Sequence, residues 1–363
     1  MNIPFLDLSR IDSGLQERLQ QTFTQVLKRG VFSGGEEVAQ LEQRIHQRLK
    51  SKFAIACANG TDALELAIRA LEIGEGDEVI VPALTWVSTA EVVKLVGAKP
   101  VFWDTDEEGL LRLDWEKAVT SKTKAVIPVH LYGKMVKMAS VVDTAGRHGI
   151  SVIEDAAQAF GAVLDGKAAG TWGDLGCLSF YPTKNLGALG EAGMCLTQDR
   201  NLGEKIRFLS NHGQSKRDEH IMVGRNSRID TLQAAFLNVL LENFESYQQK
   251  RKSLVKIYLE ELSELEGLQL PHDVLEPNHN AHLFVVKSSR RNELKEFLAE
   301  KGIGTAIHYP QIIPDMKPYR VEGDFTNAQI FAKEGLSLPL NPWLKEEDLW
   351  EIIKAVRDFF GRK

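Results

Sequence analysis

Cysteine is scarce in this chain: Cys57, Cys177 and Cys195 are the three among 363 residues, far apart and each inside an apolar stretch. An odd number so spaced argues against a disulfide framework or a cysteine-based zinc centre and predicts buried thiols in a reducing compartment. No apolar run approaches the ~18 residues that a transmembrane helix needs, so no membrane partner is expected. The opening residues MNIPFLDLSRIDSG lack a basic start, an apolar stretch and a small-residue cleavage site, which predicts a cytoplasmic address. Positive charge is also in short supply. Lys plus Arg number 44 against 50 Asp plus Glu, a net charge of -6 with the basic residues scattered, and this argues against nucleic acid as a partner. Internal repeats and low-complexity tracts are absent. What remains is an ordinary globular composition, 43% hydrophobic and 26% charged. A chain of this length buries roughly 75% of its unfolded surface, and one large domain with a smaller companion is expected.

From about Phe53 to Cys195 short apolar runs alternate with helix-like segments. FAIACA, DEVIVPAL, KPVFWD, KAVIPVHLYG and ISVIEDAAQAFG are near-continuous Val/Ile-rich runs bounded by Gly, Pro or Asp, the pattern of strands buried on both faces. Such alternation predicts an α/β fold with a mainly parallel sheet. Ala63, Leu64, Leu66, Ala67, Ala70 and Leu71 are spaced as on a helix that stops at Gly74, so a strand, a polar turn and a helix N-terminus meet near Asn59 to Asp62. A long helical stretch, Arg228 to Leu265, leads to HLFVVKS, NELKEFLAEKG, TAIHYP and LWEIIKAVRDFF, read as a small α+β domain. The boundary is placed at Asn243, inside that helix. Residues 1–242, with the N-terminal segment, then form the large domain, and 243–363 the small one.

Three motifs are set aside. Gly161 to Lys167 imitates a phosphate-binding loop, but Ala168 stands where a Ser or Thr should bind magnesium and no helix follows. Asn59-Gly60-Thr61 spells a glycosylation sequon at a strand-to-helix turn, an unsuitable place for a glycan. His279 and His282 lack a third metal ligand and read as polar loop histidines, so no metal is expected.

LSFYPTKNLGALGEAG puts Lys184 just after an apolar run, in a turn with glycines at 187, 190 and 193. Those glycines let another group approach the backbone closely. Among Phe180, Tyr181, Pro182 and Leu186 a lysine loses solvation, which lowers its pKa and turns the amine into a nucleophile or base fit for Schiff-base chemistry. Asp155 ends a buried run, where carboxylates of α/β proteins face a ligand crevice, and Gln158 follows one turn on.

Five ordered motifs carry a resemblance: Asn59-Gly60-Thr61-Asp62-Ala63-Leu64, Pro128-Val129-His130-Leu131-Tyr132-Gly133, Glu154-Asp155-Ala156-Ala157-Gln158, Ser179-Phe180-Tyr181-Pro182-Thr183-Lys184-Asn185-Leu186-Gly187 and Asn226-Ser227-Arg228-Ile229-Asp230. Together they resemble the DegT/DnrJ/EryC1/StrS family of sugar aminotransferases that use pyridoxal phosphate, over almost the whole chain. The resemblance implies fold type I, with a seven-stranded, mainly parallel sheet in the large domain. It also implies pyridoxal 5'-phosphate, passing through pyridoxamine 5'-phosphate, held by Lys184. Asp155 would then face the ring nitrogen, Gln158 the ring hydroxyl and Trp86 the ring face. Gly60, Thr61 and Ser179 would hold the phosphate, joined by Asn226 of a second subunit in a homodimer with shared active sites. His130, Tyr181, Arg217, His220, His308 and Tyr309 fall at substrate positions. Asp218 and Glu191 depart from the family pattern, where a tyrosine and an aspartate are more frequent, and both departures concern substrate contacts.

The implied reaction moves an amino group from L-glutamate to a nucleotide-linked keto sugar. KNLGALG resembles enzymes acting at carbon 3 of 3-keto-6-deoxy or N-acetylated sugars. Amination at carbon 4 and a cofactor-binding regulator without turnover are the alternatives, and a sugar dehydratase is disfavoured because relatives of that kind carry histidine at the position of Lys184.

Overall fold

The computed structural model describes residues 2–361. Helices α1 (Ser13–Arg29) and α2 (Glu36–Leu49) open the chain. The alternating region follows as β1 (Phe53–Cys57), α3 (Gly60–Ala70), β2 (Glu78–Pro82), α4 (Ser88–Leu95), β3 (Lys99–Trp103), β4 (Thr123–Val126), α5 (Met138–His148) and β5 (Ser151–Asp155). A short hairpin, β6 (Val163–Leu164) with β7 (Lys167–Ala168), leads into β8 (Leu175–Ser179) and β9 (Gly193–Thr197). Next come α6 (Arg200–Leu209), the hairpin β10 (Gln214–Lys216) and β11 (Glu219–His220), α7 (Thr231–Glu242) and α8 (Phe244–Leu262). The C-terminal part contributes β12 (Phe284–Lys287), α9 (Arg291–Glu300), α10 (Thr326–Glu334), β13 (Gly335–Leu338) and α11 (Glu346–Phe360).

The main sheet has seven strands in the order β1-β9-β8-β5-β4-β2-β3. Every neighbouring pair from β3 to β8 is parallel, and β9 runs antiparallel to both β1 and β8. This is the mainly parallel α/β sheet that the Val/Ile runs predict, since helices cover both of its faces. Its consequence is local: the carboxyl ends of β1, β8 and β5 lie along one edge, with the start of β9 between β1 and β8, where open α/β sheets bind ligands. Gly193, at the start of β9, pairs with both Cys57 and Ser179. A Cβ there would stand 2.2 Å from the Asn59 carbonyl oxygen, so only glycine lets these segments close together.

Two apolar cores hold the molecule together. One surrounds the sheet and draws in Ile312, Ile313, Phe325 and Phe331 from the C-terminal part. The other joins Leu254, Val255, Tyr258, Phe284, Leu338 and Phe359 with Ile3. Ile3 thus departs from the expected large domain: its N–H donates to the Gly302 carbonyl at 2.8 Å. The expected single helix from 228 to 265 is two helices meeting at Asn243, which serves as C-cap of α7 and N-cap of α8. Asp104, just beyond β3, accepts the Asn327 and Ala328 N–H groups at 3.1 and 3.0 Å and so caps α10. That contact anchors the C-terminal part beside the strand-end edge.

Candidate active site

The strand-end edge begins with a cradle. Asn59 Oδ1 accepts the Asp62 N–H at 2.8 Å, which caps α3 and accounts for the side chain of the apparent sequon. Gly60 and Thr61 then occupy the first turn, where N–H groups have no helical acceptor and the helix dipole favours an anion. Ser179 packs directly on Gly60, since a Cβ on that glycine would lie 2.6 Å from the Ser179 Cβ. Thr61 Oγ1 lies 2.8 Å from Ser88 Oγ at the head of α4, adding two hydroxyls.

Beside the cradle stands a carboxylate. Asp155 is buried at the end of β5, with Thr89 Oγ1 donating to Oδ2 at 2.9 Å and the Ala157 N–H to Oδ1 at 3.2 Å. Burial raises its pKa, while those donors and the nearby Lys184 and His130 pull the other way. Lys184, in the turn after β8, makes no hydrogen bond or ion pair with its ammonium among the described residues. Burial brings it down to about 8, against the pull of Asp155. An unpaired amine of that pKa exchanges protons near neutrality.

Around this pair lie aromatic and amide groups. Trp86, just before α4, is 57% exposed, which excludes a core role, and its ring centroid is 5.5 Å from that of Tyr309. Gln158 accepts the Tyr132 N–H at 2.6 Å and donates to the Tyr309 hydroxyl at 3.2 Å. His308 shares a hydrogen with Ser337 Oγ at 2.8 Å, and its carbonyl accepts the Tyr132 hydroxyl. Burial and the Lys184 charge lower the His308 imidazole to about 4, so it is neutral at working pH. A helix-end cradle, an uncovered indole, a buried carboxylate and an unpaired amine together suit a planar, phosphate-bearing ring with an electrophilic carbon.

Other expected residues lie elsewhere. His130 is a correction: it is fully buried, with Nε2 bonded to Glu154 Oε2 at 2.9 Å and Nδ1 accepting the Val136 N–H at 3.2 Å. Both ring nitrogens are spent inside the core, so the side chain cannot meet a substrate. It belongs to the anchorage of Glu154, whose carboxylate also accepts the N–H groups of Gly170, Trp172 and Gly173. Tyr181 is exposed at the mouth of the Lys184 turn. Arg217, in the turn of the β10–β11 hairpin, has a side chain 95% exposed, and His220 on β11 is exposed too, with Nδ1 donating to the His212 carbonyl at 2.9 Å.

Asn226 is exposed between two residues that grip α3: Arg225 Nη2 meets Asp62 Oδ1 at 3.1 Å, and Ser227 Oγ donates to Asp62 Oδ2 at 2.6 Å. His279 and His282 lie in the loop before β12, as expected, and are buried there; among the described residues no group of His, Cys, Asp and Glu is arranged to hold a metal. Sequence reasoning missed Ser88 and Thr89. The hydroxyl pair heading the helix after Trp86 was the available signal.

Comparison with known proteins extends these observations to the whole chain. Residues 14–357 match the profile of the DegT/DnrJ/EryC1/StrS aminotransferase family. A Geobacillus stearothermophilus protein named pleiotropic regulatory protein is 40% identical over 369 residues, covering 99% of both chains. The UDP-N-acetyl-3-dehydro-alpha-D-glucosamine 3-aminotransferase of Acidithiobacillus ferrooxidans is 40% identical over 361 residues, 98% of this chain and 97% of that one. The crystal structure of S. venezuelae DesV in complex with a ketimine intermediate superposes with a TM-score of 0.96 at 37% identity, covering 100% of this chain and 99% of that one. With its strand-end lysine and carboxylate in place and its full length matched, the chain belongs to the DegT/DnrJ/EryC1/StrS aminotransferase family.

Proposed function

We propose that this protein transfers the amino group of L-glutamate to carbon 3 of a nucleotide-linked keto sugar, with pyridoxal phosphate carried by Lys184. The observation that carries the reading is the half-buried, unpaired Lys184 amine, desolvated and within electrostatic reach of the Asp155 carboxylate at the strand-end edge. Pyridoxal phosphate, when bound, supplies the electron-withdrawing ring that lets an amino acid exchange its nitrogen and release its α-proton. The choice of carbon 3 rests on the KNLGALG segment and on the 3-aminotransferase named above.

Each residue then has a task of its own. Gly60, Thr61 and Ser179 would bind the phosphate, with the α3 dipole adding to the attraction. Trp86 would cover one face of the ring, and Gln158 would orient its hydroxyl. Asp155 would hold a proton at the ring nitrogen, because an opposite charge in contact moves such a pKa by ~1–3 units. Lys184 Nζ takes up the proton that leaves the donor's α-carbon and gives one back, which its lowered basicity permits. Glutamate leaves as 2-oxoglutarate, and the keto sugar leaves as the amino sugar.

The reading includes a homodimer, and the Asn226 segment supports it. Asn226 is exposed between Arg225 and Ser227, which both grip Asp62, and this supports a side chain turned away from its own cradle. It would therefore serve the phosphate of a second copy. The relative named as a regulatory protein favours a second reading, cofactor binding without turnover. The two separate when the pyridoxamine phosphate form is offered a panel of 3-keto and 4-keto sugar nucleotides. A mass gain matching amination of a 3-keto member supports transfer at carbon 3; no product from any member supports the regulator.

A further inference from the structure

The turn that exposes Trp86 tucks two threonines inward. Thr85, just before Trp86, is buried, and so is Thr89 in the first turn of α4. The segment is held at both ends, with the Ala83 N–H donating to the Trp103 carbonyl at 2.8 Å and the Thr89 N–H to the Trp86 carbonyl at 3.2 Å. Asp155 is held along its backbone as well: its N–H donates to the Pro128 carbonyl at 2.9 Å, and its carbonyl accepts the His130 N–H at 3.0 Å. What remains to be set is the carboxylate. Thr89 Oγ1 donates to Oδ2 at 2.9 Å and the Ala157 N–H to Oδ1 at 3.2 Å, so each oxygen receives one hydrogen bond.

A hydroxyl has a single hydrogen. With Asp155 ionised, Thr89 spends that hydrogen on Oδ2, and the 3.3 Å contact between Thr85 Oγ1 and Thr89 Oγ1 is then a donation from Thr85. The two hydroxyls form a one-way chain from Thr85 to Thr89 to Asp155. No other side chain among the described residues donates to this carboxylate. The titratable groups facing it are Lys184 from the turn after β8, His130 from the segment after β4, Cys177 on β8 and Tyr309 from the C-terminal part. Burial pushes the Cys177 thiol and the Tyr309 hydroxyl up, which keeps both neutral. His130 Nε2 is committed to Glu154.

We propose that Thr89 is a positioning residue for Asp155, its hydroxyl, aligned by Thr85, holding the carboxylate ionised and in one orientation. Burial favours the protonated acid, and a donor aimed at the charged form opposes it. An Asp155 that kept its own proton would lose the charge by which it acts on a ring nitrogen. The catalytic meaning of the proposal rests on the reading in which Asp155 faces that nitrogen.

Substitutions at Thr89 separate the hydroxyl from the shape. Thr89→Val keeps the shape and removes the donor, whereas Thr89→Ser keeps the donor. Carbon-13 titration of the Asp155 carboxyl in the cofactor-free full chain, assigned by the loss of its signal in Asp155→Asn, gives the midpoint. Thr89→Val should raise it by about one pH unit, the equivalent of one hydrogen bond to a charged group, and Thr89→Ser should stay within about 0.3. Thr85→Val should raise it by less than Thr89→Val does, because the 3.3 Å link is the longer one. Thr89→Ala carries the same expectation as Thr89→Val should the valine protein not fold. Equal shifts for valine and serine, no shift, or a larger shift from Thr85→Val overturns the proposal. In the loaded protein, the nitrogen-15 signal of ring-labelled pyridoxal phosphate should move toward its unprotonated position in Thr89→Val and stay in place in Thr89→Ser; the reverse order overturns it too. Borohydride trapping tests the underlying reading separately, since failure to label Lys184 would remove that reading while the carboxyl titration still decides the part played by Thr89.

Discussion

The strand-end cleft and the β10–β11 hairpin are built on opposite principles. In the cleft almost every polar group is tied down within the chain: Asp155 to Thr89 and Ala157, Gln158 to Tyr132 and Tyr309, His308 to Ser337. On the hairpin the charges meet only near neighbours, Lys216 with Glu219 and Arg217 with Asp218, while Val223 just beyond is 93% exposed. The contrast separates two jobs. Chemistry needs atoms held to within a fraction of an ångström, and the sheet supplies that rigidity. An exposed arm bearing Arg217, His220 and Val223 is suited instead to meeting a second copy or a large polar substrate.

The comparison breaks most visibly at Lys184. Lys184→Ala should lower turnover by ~10³-fold or more and abolish borohydride trapping of the cofactor, as removal of the base and attachment point requires. Turnover near the wild-type rate would move the chemistry elsewhere. Asp155→Asn comes next, with kcat down by roughly 100-fold, the equivalent of two pKa units of lost charge interaction. Cofactor affinity, measured by fluorescence quenching, should change far less. Unchanged kcat would remove Asp155 from the ring nitrogen.

Arg217→Ala probes the arm and should raise the sugar-nucleotide KM by about tenfold at nearly constant kcat, the value of a charge-assisted hydrogen bond. Mixing Lys184→Ala with Asn226→Ala protein under subunit exchange should recover part of the lost activity, because one site of each mixed dimer carries both intact residues. No recovery would place Asn226 within its own subunit's site. Cofactor uptake by the stripped protein sharpens the electrostatic side. Only the free amine reacts, so with a midpoint near 8 the uptake rate should rise about tenfold from pH 7 to pH 9 and then level off. A flat profile would contradict the lowered Lys184 pKa. The smallest kinetic effect belongs to His130→Ala: KM within about twofold of wild type, but unfolding by urea at about 3 kcal/mol lower stability, because Glu154 loses its buried partner.

What the sequence discloses follows the range of the interaction concerned. The β1–α3 cradle, the end of β5 and the Lys184 turn are short segments whose residue types carry their own geometry, so they are legible from the letters. The insertion of β9 between β1 and β8 is not, because strand order depends on pairing between distant segments. Thr89 donates to Asp155 across 66 positions, and Asn280 meets Asn185 across 95; neither leaves a local pattern. His130 misleads for a related reason: its motif sits beside the site, but its side chain points into the sheet's core toward Glu154. The packing of Ile3 in the second core leaves no local pattern either, because a single apolar residue near a terminus carries no periodicity. The break at Asn243 is hidden because both flanking segments are helical.

The most direct test of the account is to incubate the wild-type protein with pyridoxal phosphate, nitrogen-15-labelled L-glutamate and a carbon-13-labelled 3-keto sugar nucleotide, and to record the product's carbon spectrum. The account predicts a carbon 3 signal split by nitrogen-15, with proton couplings of an equatorial amine. Nitrogen-15 on no sugar carbon, from protein whose Lys184 is shown to hold the cofactor, would contradict it.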